Sequence, residues 1–218
     1  MKGLRLMSLC IAAAWLLCGC GMVKSEPAAA PEAPMVQHAA EETPAPTAAP
    51  QNKEFTRGIW QEDVYTSEYA GVNFRLPEGW TKASALELES MTEYSEDGSI
   101  LNVTDLYAQE ESGASVLLMV DDLTRYDALQ ALTAAEYARD VALQLEANEE
   151  LDLTVTTGEV LQFCGAEYAC VKAVLDKPAF CQQYLIRRQG DTMVVLILTA
   201  PGTEGTEKLM GAFEPQNG

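Results

Sequence analysis

Residues 60–80 read WQEDVYTSEYAGVNFRLPEGW, and the reading of this stretch decides the fold. Pro77 and Gly79 mark a turn, because proline presets one backbone angle and glycine accepts conformations closed to other residues. Tyr65 and Phe74 stand at strand spacing on either side of Gly71, and Trp80 closes the stretch. Aromatic rings so spaced belong in a core, so Tyr65, Phe74 and Trp80 are expected to fill a core edge rather than form a stacking platform for a ligand.

Downstream, two capping boxes announce helices. Ser84 with Glu87 opens a short one, and Thr133 with Glu136 opens a longer one running to about Asn148. On the second, Tyr137, Val141 and Leu145 recur at helical spacing beside Ala138 and Ala142, giving one apolar stripe to lay on a sheet. Leu151, Leu153 and Val155 alternate with Asp152, Thr154 and Thr156 as in a half-buried strand. By contrast, 116–120 and 193–198 are apolar on both phases and read as central strands with both faces covered. Segments 167–175 and 179–188, joined by Asp176, Lys177 and Pro178, form a hairpin, and a last helix is expected over 206–213 after the turn at Pro201 and Gly202. Runs of strands with few intervening helices indicate the α+β class rather than βαβ units, with helices on both faces of the sheet.

The stretch 60–80 resembles the entry to the PsbP-like domains of lipoproteins from anaerobic Gram-positive bacteria. There a Tyr-rich edge strand leads to a second strand, a Pro-x-Gly-Trp turn, a helix, a meander and a C-terminal helix. Tyr65, Tyr69, Gly71, Phe74, Pro77, Gly79 and Trp80 match that pattern, and the order of later elements agrees across nearly all of 55–215. The resemblance implies an antiparallel β-sheet sandwiched by helices, an α/β/α sandwich, with an extracytoplasmic binding or assembly role, and it implies no catalytic residue.

Upstream, composition changes at Phe55, so the folded domain is assigned to 53–218 and residues 20–52 to a tether. Pro27, Pro31, Pro34, Pro44, Pro46 and Pro50 interrupt any helix there. At about 3.1 Å per residue in polyproline II, such a tether holds a domain up to roughly 100 Å from its anchor. Residues 1–19 read as a signal peptide, with Lys2 and Arg5 ahead of an apolar run from Leu6 to Cys18 broken by Ser8 alone. That run is too short for a membrane span, and no other segment approaches one.

The run ends in Leu17-Cys18-Gly19-Cys20, which resembles the bacterial lipobox. The resemblance implies cleavage between Gly19 and Cys20 and acylation of Cys20. Its thiolate is the nucleophile such a thioether needs, and two or three acyl chains anchor where one is marginal. The expected location is the extracytoplasmic face of the cell membrane, held through the lipid on Cys20.

With 14 Lys plus Arg against 33 Asp plus Glu, the formal charge is -19. Nucleic acid is therefore an unsuitable partner, as are anionic headgroups by direct adsorption, and the acidity reads as solubility. The sole histidine, His38, lies in the tether, so a folded Ser-His-Asp triad, a Cys-His dyad and histidine zinc sites are all excluded. The order Gly-x4-Gly-Lys is missing at 202–208, and no Gly-x-Ser-x-Gly elbow occurs.

Acidic clusters remain at Glu93, Glu96 and Asp97; Glu110 and Glu111; Asp121, Asp122 and Asp127; and Glu146, Glu149, Glu150 and Asp152. None has the spacing of a calcium loop, and all read as solvated surface. Asn102-Val103-Thr104 is a formal glycosylation sequon with no reason for use in a bacterial lipoprotein. Of Cys164, Cys170 and Cys181, the last is expected roughly opposite Lys172, with Cys170 a diagonal neighbour too far for an easy bridge. Buried free thiols are the favoured reading.

No catalytic residue, metal ligand or cofactor site is expected. The expected function is a binding or assembly module for an envelope protein or ligand. The alternatives are a carboxylate-dependent enzyme acting on envelope material and an accessory subunit of a membrane complex.

Overall fold

The computed structural model describes residues 54–95, 98–124, 127–148, 151–177 and 179–216. The signal peptide, Gly19, Cys20, His38 and the tether lie outside the described residues, as do Glu96, Asp97, Glu149 and Glu150.

The chain combines helices with antiparallel sheet. A four-stranded sheet contains β1 (Ile59–Gln61), β2 (Val64–Ser67), β3 (Val72–Arg75) and β12 (Phe213–Pro215), in that spatial order. A larger sheet runs β4 (Thr81–Lys82), β6 (Ile100–Gln109), β7 (Ser115–Asp122), β11 (Thr192–Ala200), β10 (Phe180–Gln189), β9 (Ala166–Leu175) and β8 (Leu153–Phe163), with β5 (Glu93–Tyr94) also on β6. The helices are α1 (Ala85–Ser90), α2 (Asp127–Gln130), α3 (Ala134–Glu146) and α4 (Gly202–Met210).

Both expected capping boxes are present: Ser84 and Glu87 at α1, Thr133 and Glu136 at α3. In α3 the side chains of Ala138, Val141, Ala142 and Leu145 are buried. The two strands apolar on both phases, β7 and β11, are neighbours at the centre of the large sheet. Their alternate residues enter different cores. Val116, Leu118, Val194 and Leu196 join Tyr65, Phe74, Leu209 and Phe213 in one cluster. Leu117, Met119, Val195 and Ile197 join Val141 and Leu145 in the other. Tyr65 and Phe74 are fully buried, deeper than a core edge, and Trp80 is partly buried against them.

Two expectations are corrected. The last helix begins at Gly202 and ends at Met210 rather than covering 206–213. Pro201 stands before it, where a missing N–H and a fixed φ suit helix entry. Phe213 has left the helix to pair with Phe74, with ring centroids 4.8 Å apart. The β9–β10 hairpin forms, but its connection spans 176–179, with Phe180 opposite Leu175. Cys181 therefore faces Val174 rather than Lys172, and Cys170 faces Leu185. The two cysteines are further out of register than a tight turn would leave them, and all three domain thiols are free.

Candidate functional site

Three polar clusters interrupt the apolar core. The first is a row across the large sheet. Glu93, Asn102 and Asp121 are successive cross-strand partners on β5, β6 and β7, and Met193 and Arg188 continue the row on β11 and β10. Direct partners share a face, so these side chains lie on the α3 side with Met193. Asn102 Nδ2 donates to Glu93 Oε2 at 2.8 Å. Tyr137 of α3 donates its hydroxyl proton to Asp121 Oδ2, while Asp121 Oδ1 is buried with no partner.

Burial pushes the Asp121 carboxyl up to about 6, and the neighbouring Glu93 adds to the rise while the Tyr137 hydroxyl opposes it. At the far end Arg188 donates to the carbonyls of Gly190 (2.9 Å), Leu132 (2.9 Å) and Gln130 (2.7 Å). Gln130 ends α2, and a cation on its carbonyl satisfies a group that a helix end leaves unpaired. The row thus pins the segment between β7 and α3 to the sheet.

The second cluster joins the two sheets. Pairing on β6 shifts between Thr104 and Leu106, which face Met119 and Leu118, so Asp105 is the extra residue of a bulge. The bulge turns Asp105 towards the small sheet. Its carboxylate accepts from Gly58 N (3.0 and 3.2 Å) and from Tyr65 Oη (2.5 Å). Burial raises the Asp105 pKa, and these donors together with Arg57 limit the rise. The Tyr65 phenol is raised far above its ordinary range by burial and by the adjacent carboxylate. Arg57 bridges outward, donating to Thr104 O at 2.8 Å and to Glu89 of α1 at 3.3 Å.

The third cluster lies on the small-sheet side of β9 and β10. Arg187 stacks over the Tyr168 ring, with the guanidinium carbon 5.3 Å from its centroid. Arg187 Nη2 donates to Ala70 O at 3.0 Å and to Gln189 Oε1 at 2.7 Å. Its Nε is buried with no acceptor. Cys164, in the turn between β8 and β9, has its thiol pushed up to about 11 by burial, against the pull of Arg187.

The acidic residues singled out in the sequence scatter in role. Glu93 and Asp121, from different sequence clusters, are brought together. Asp122 accepts from Thr124 in a local turn, and Glu110 accepts from Ser112 between β6 and β7. No group of three or more His, Cys, Asp and Glu suited to a metal occurs among the described residues. Nor, among them, is any helix long and apolar enough to cross a membrane. Sequence reading gave Asp105 and Arg187 no structural or binding role. The available signal was charge within strand-like stretches: Asp105 in LNVTDLYA (101–108) and the adjacent Arg187 and Arg188 in YLIRR (184–188).

No protein-family model matches the chain, and no curated protein does. Among solved structures, the chain is similar to cyanobacterial PsbP (CyanoP) of Synechocystis sp. PCC 6803. The identity is 10% and the TM-score 0.42, over 70% of this chain and 91% of that one.

Proposed function

We propose that the chain is an extracytoplasmic lipoprotein, anchored by acyl groups on Cys20, whose domain binds or assembles with an envelope protein or ligand. The observation that carries this reading is the order of its parts in the sequence: an apolar run ending in Leu17-Cys18-Gly19-Cys20, a proline-rich tether, then an ordered domain whose first strand starts at Ile59. The domain is read as PsbP-like with α/β/α layering. Tyr65, Phe74 and Trp80 serve its core, and Gly71 (φ +68°) and Gly79 (φ +82°) hold backbone that favours glycine. Layering is supported by α3 packing with one core cluster and α4 with the other.

The enzyme alternative would draw on Glu93 and Asp121, the pair with a raised carboxyl. Asp121 Oδ1 is sealed from solvent and Oδ2 is taken by Tyr137, which favours the binding reading. The test is crosslinking in intact cells expressing the tagged protein, with Cys20→Ala as the unanchored control. A reproducible partner, lost in the control, is expected. Identical capture from both, or none from either, would count against an assembly role at the membrane.

A further inference from the structure

We propose that the outer edge of β8 is a docking site for an extended, cationic segment of another polypeptide, which adds to the large sheet as a further strand. The sheet ends at β8, which pairs with β9 and with no other strand among the described residues. Its eleven residues are LTVTTGEVLQF, of which Phe163 alone is buried. Val160 is 61% exposed. Long edges are ordinarily blunted, because a row of unpaired N–H and C=O groups invites another strand. The other edges of this chain are blunted. At the far side of the same sheet β4 has two residues, one of them Lys82. The edges of the small sheet, β1 and β12, have three residues each, and β12 ends in Pro215. β8 has neither lysine nor proline, and its one irregularity is the bulge at Gly158.

The register fixes which backbone groups face outward. Cys164 (φ 49°) and Gly165 (φ 78°) form a two-residue turn into β9, so Phe163 and Ala166 exchange the bonds that close the hairpin. Pairs alternate from there. Leu161 and Glu159 bond to β9, whereas Gln162 and Val160 turn their N–H and C=O outward. Beyond the bulge Thr156 and Thr154 bond to β9, and Thr157, Val155 and Leu153 turn outward. An added strand meets two short ladders, and at the second it covers the exposed side chain of Val160.

Charge selects the occupant. Glu159 is the only charged residue of β8, and it makes no ion pair among the described residues. On β9 behind it Glu167 and Lys172 offset one another, while α3 carries Glu136, Asp140 and Glu146 against Arg139. A total of -19 steers cationic segments towards this surface from a distance. A second copy of the chain fits less well. Antiparallel self-pairing that joins Val160 to Thr157 and Gln162 to Val155 sets bulge against bulge and brings the two Glu159 carboxylates together, on two molecules that already repel. The edge rests on the reading of the domain as a binding module and is independent of the anchor.

The experiment uses the full mature chain, labelled with nitrogen-15. It is titrated with a capped peptide of alternating Lys and Val as long as β8, and in parallel with the fully N-methylated peptide, which keeps the charges and lacks every N–H. Saturable shifts and slowed exchange at the Val160 and Gln162 amides are expected with the first peptide alone. Val160→Pro removes an outward N–H and no bond to β9, so the fold should persist while affinity falls roughly tenfold. Val160→Lys keeps the N–H and sets a like charge against the peptide, lowering affinity about threefold; it decides the matter if the proline variant fails to fold. Equal responses to both peptides, or shifts spread over the acidic surface, overturn the proposal. So do slowed exchange at Val160 without peptide and a sedimentation coefficient that rises with protein concentration, which would make a second copy the occupant. In the cell crosslinking described above, a partner still captured by Val160→Pro overturns the edge and leaves the binding reading in place, whereas wild type capturing none counts against that reading while the titration still judges the edge.

Discussion

A methyl group on Gly58 would land inside the buried Tyr65 ring, at the atoms that carry the hydroxyl bonded to Asp105. Gly58→Ala must therefore shift either the ring or the backbone N–H that Asp105 also accepts. The expected cost is about 1–3 kcal/mol in urea unfolding, the ordinary range for an overpacked core. Tyr65→Phe leaves the ring and removes the donor, so a similar loss from that variant would assign the effect to the hydrogen bond. Asp121 makes a prediction of opposite sign. Its folded pKa of about 6 lies above the ordinary 3.8, so its contribution to stability is fully present below about 4 and is lost as pH rises through 6. Asp121→Asn keeps an acceptor for Tyr137 and cannot ionise. The variant should gain on wild type between pH 4 and pH 8, by up to roughly 3 kcal/mol in denaturant titrations. A difference that does not vary with pH would mean that Asp121 stays ionised across the range.

At the scale of elements, α3 depends on its first turn. Thr133 accepts from the Glu136 N–H at 3.2 Å, and Glu136 accepts from the Thr133 N–H at 2.9 Å. Thr133→Ala should cost about 1 kcal/mol, read as a lower unfolding midpoint. This cap was legible in the sequence because its partners are three residues apart, and so was the apolar stripe behind it. The central strands were legible for a related reason: β7 and β11 are apolar on both phases, and only a strand covered on both faces tolerates that. What escaped depended on distant partners. The hairpin register rests on a connection of four residues where two suffice, and a shift of that kind moves Cys181 from Lys172 to Val174. The three residues of β12 carry no periodicity and become a strand only because Phe74 is there to pair with Phe213. The Asp105 bulge was hidden likewise, since a charge within a strand does not say which side it faces or what it meets.

For the whole molecule the governing quantity is the charge of -19. Like charges on one surface repel and oppose compactness, and salt screens them with a Debye length of about 10 Å at 0.1 M. Added sodium chloride should therefore raise the thermal midpoint by a few degrees at neutral pH. A fall would show that ion pairs such as Arg57 with Glu89 outweigh the repulsion. The small sheet has a consequence of another kind. Its outer strand β12 comes from the far end of the chain, so Phe74 waits for Phe213 across almost the whole domain. Contacts so remote in sequence form slowly, because the loop between them must close first. A chain made from its N-terminus therefore holds β1 to β3 unfinished until its last residues arrive. During that interval Phe74 lacks its partner, and whatever receives the nascent chain must shield that face.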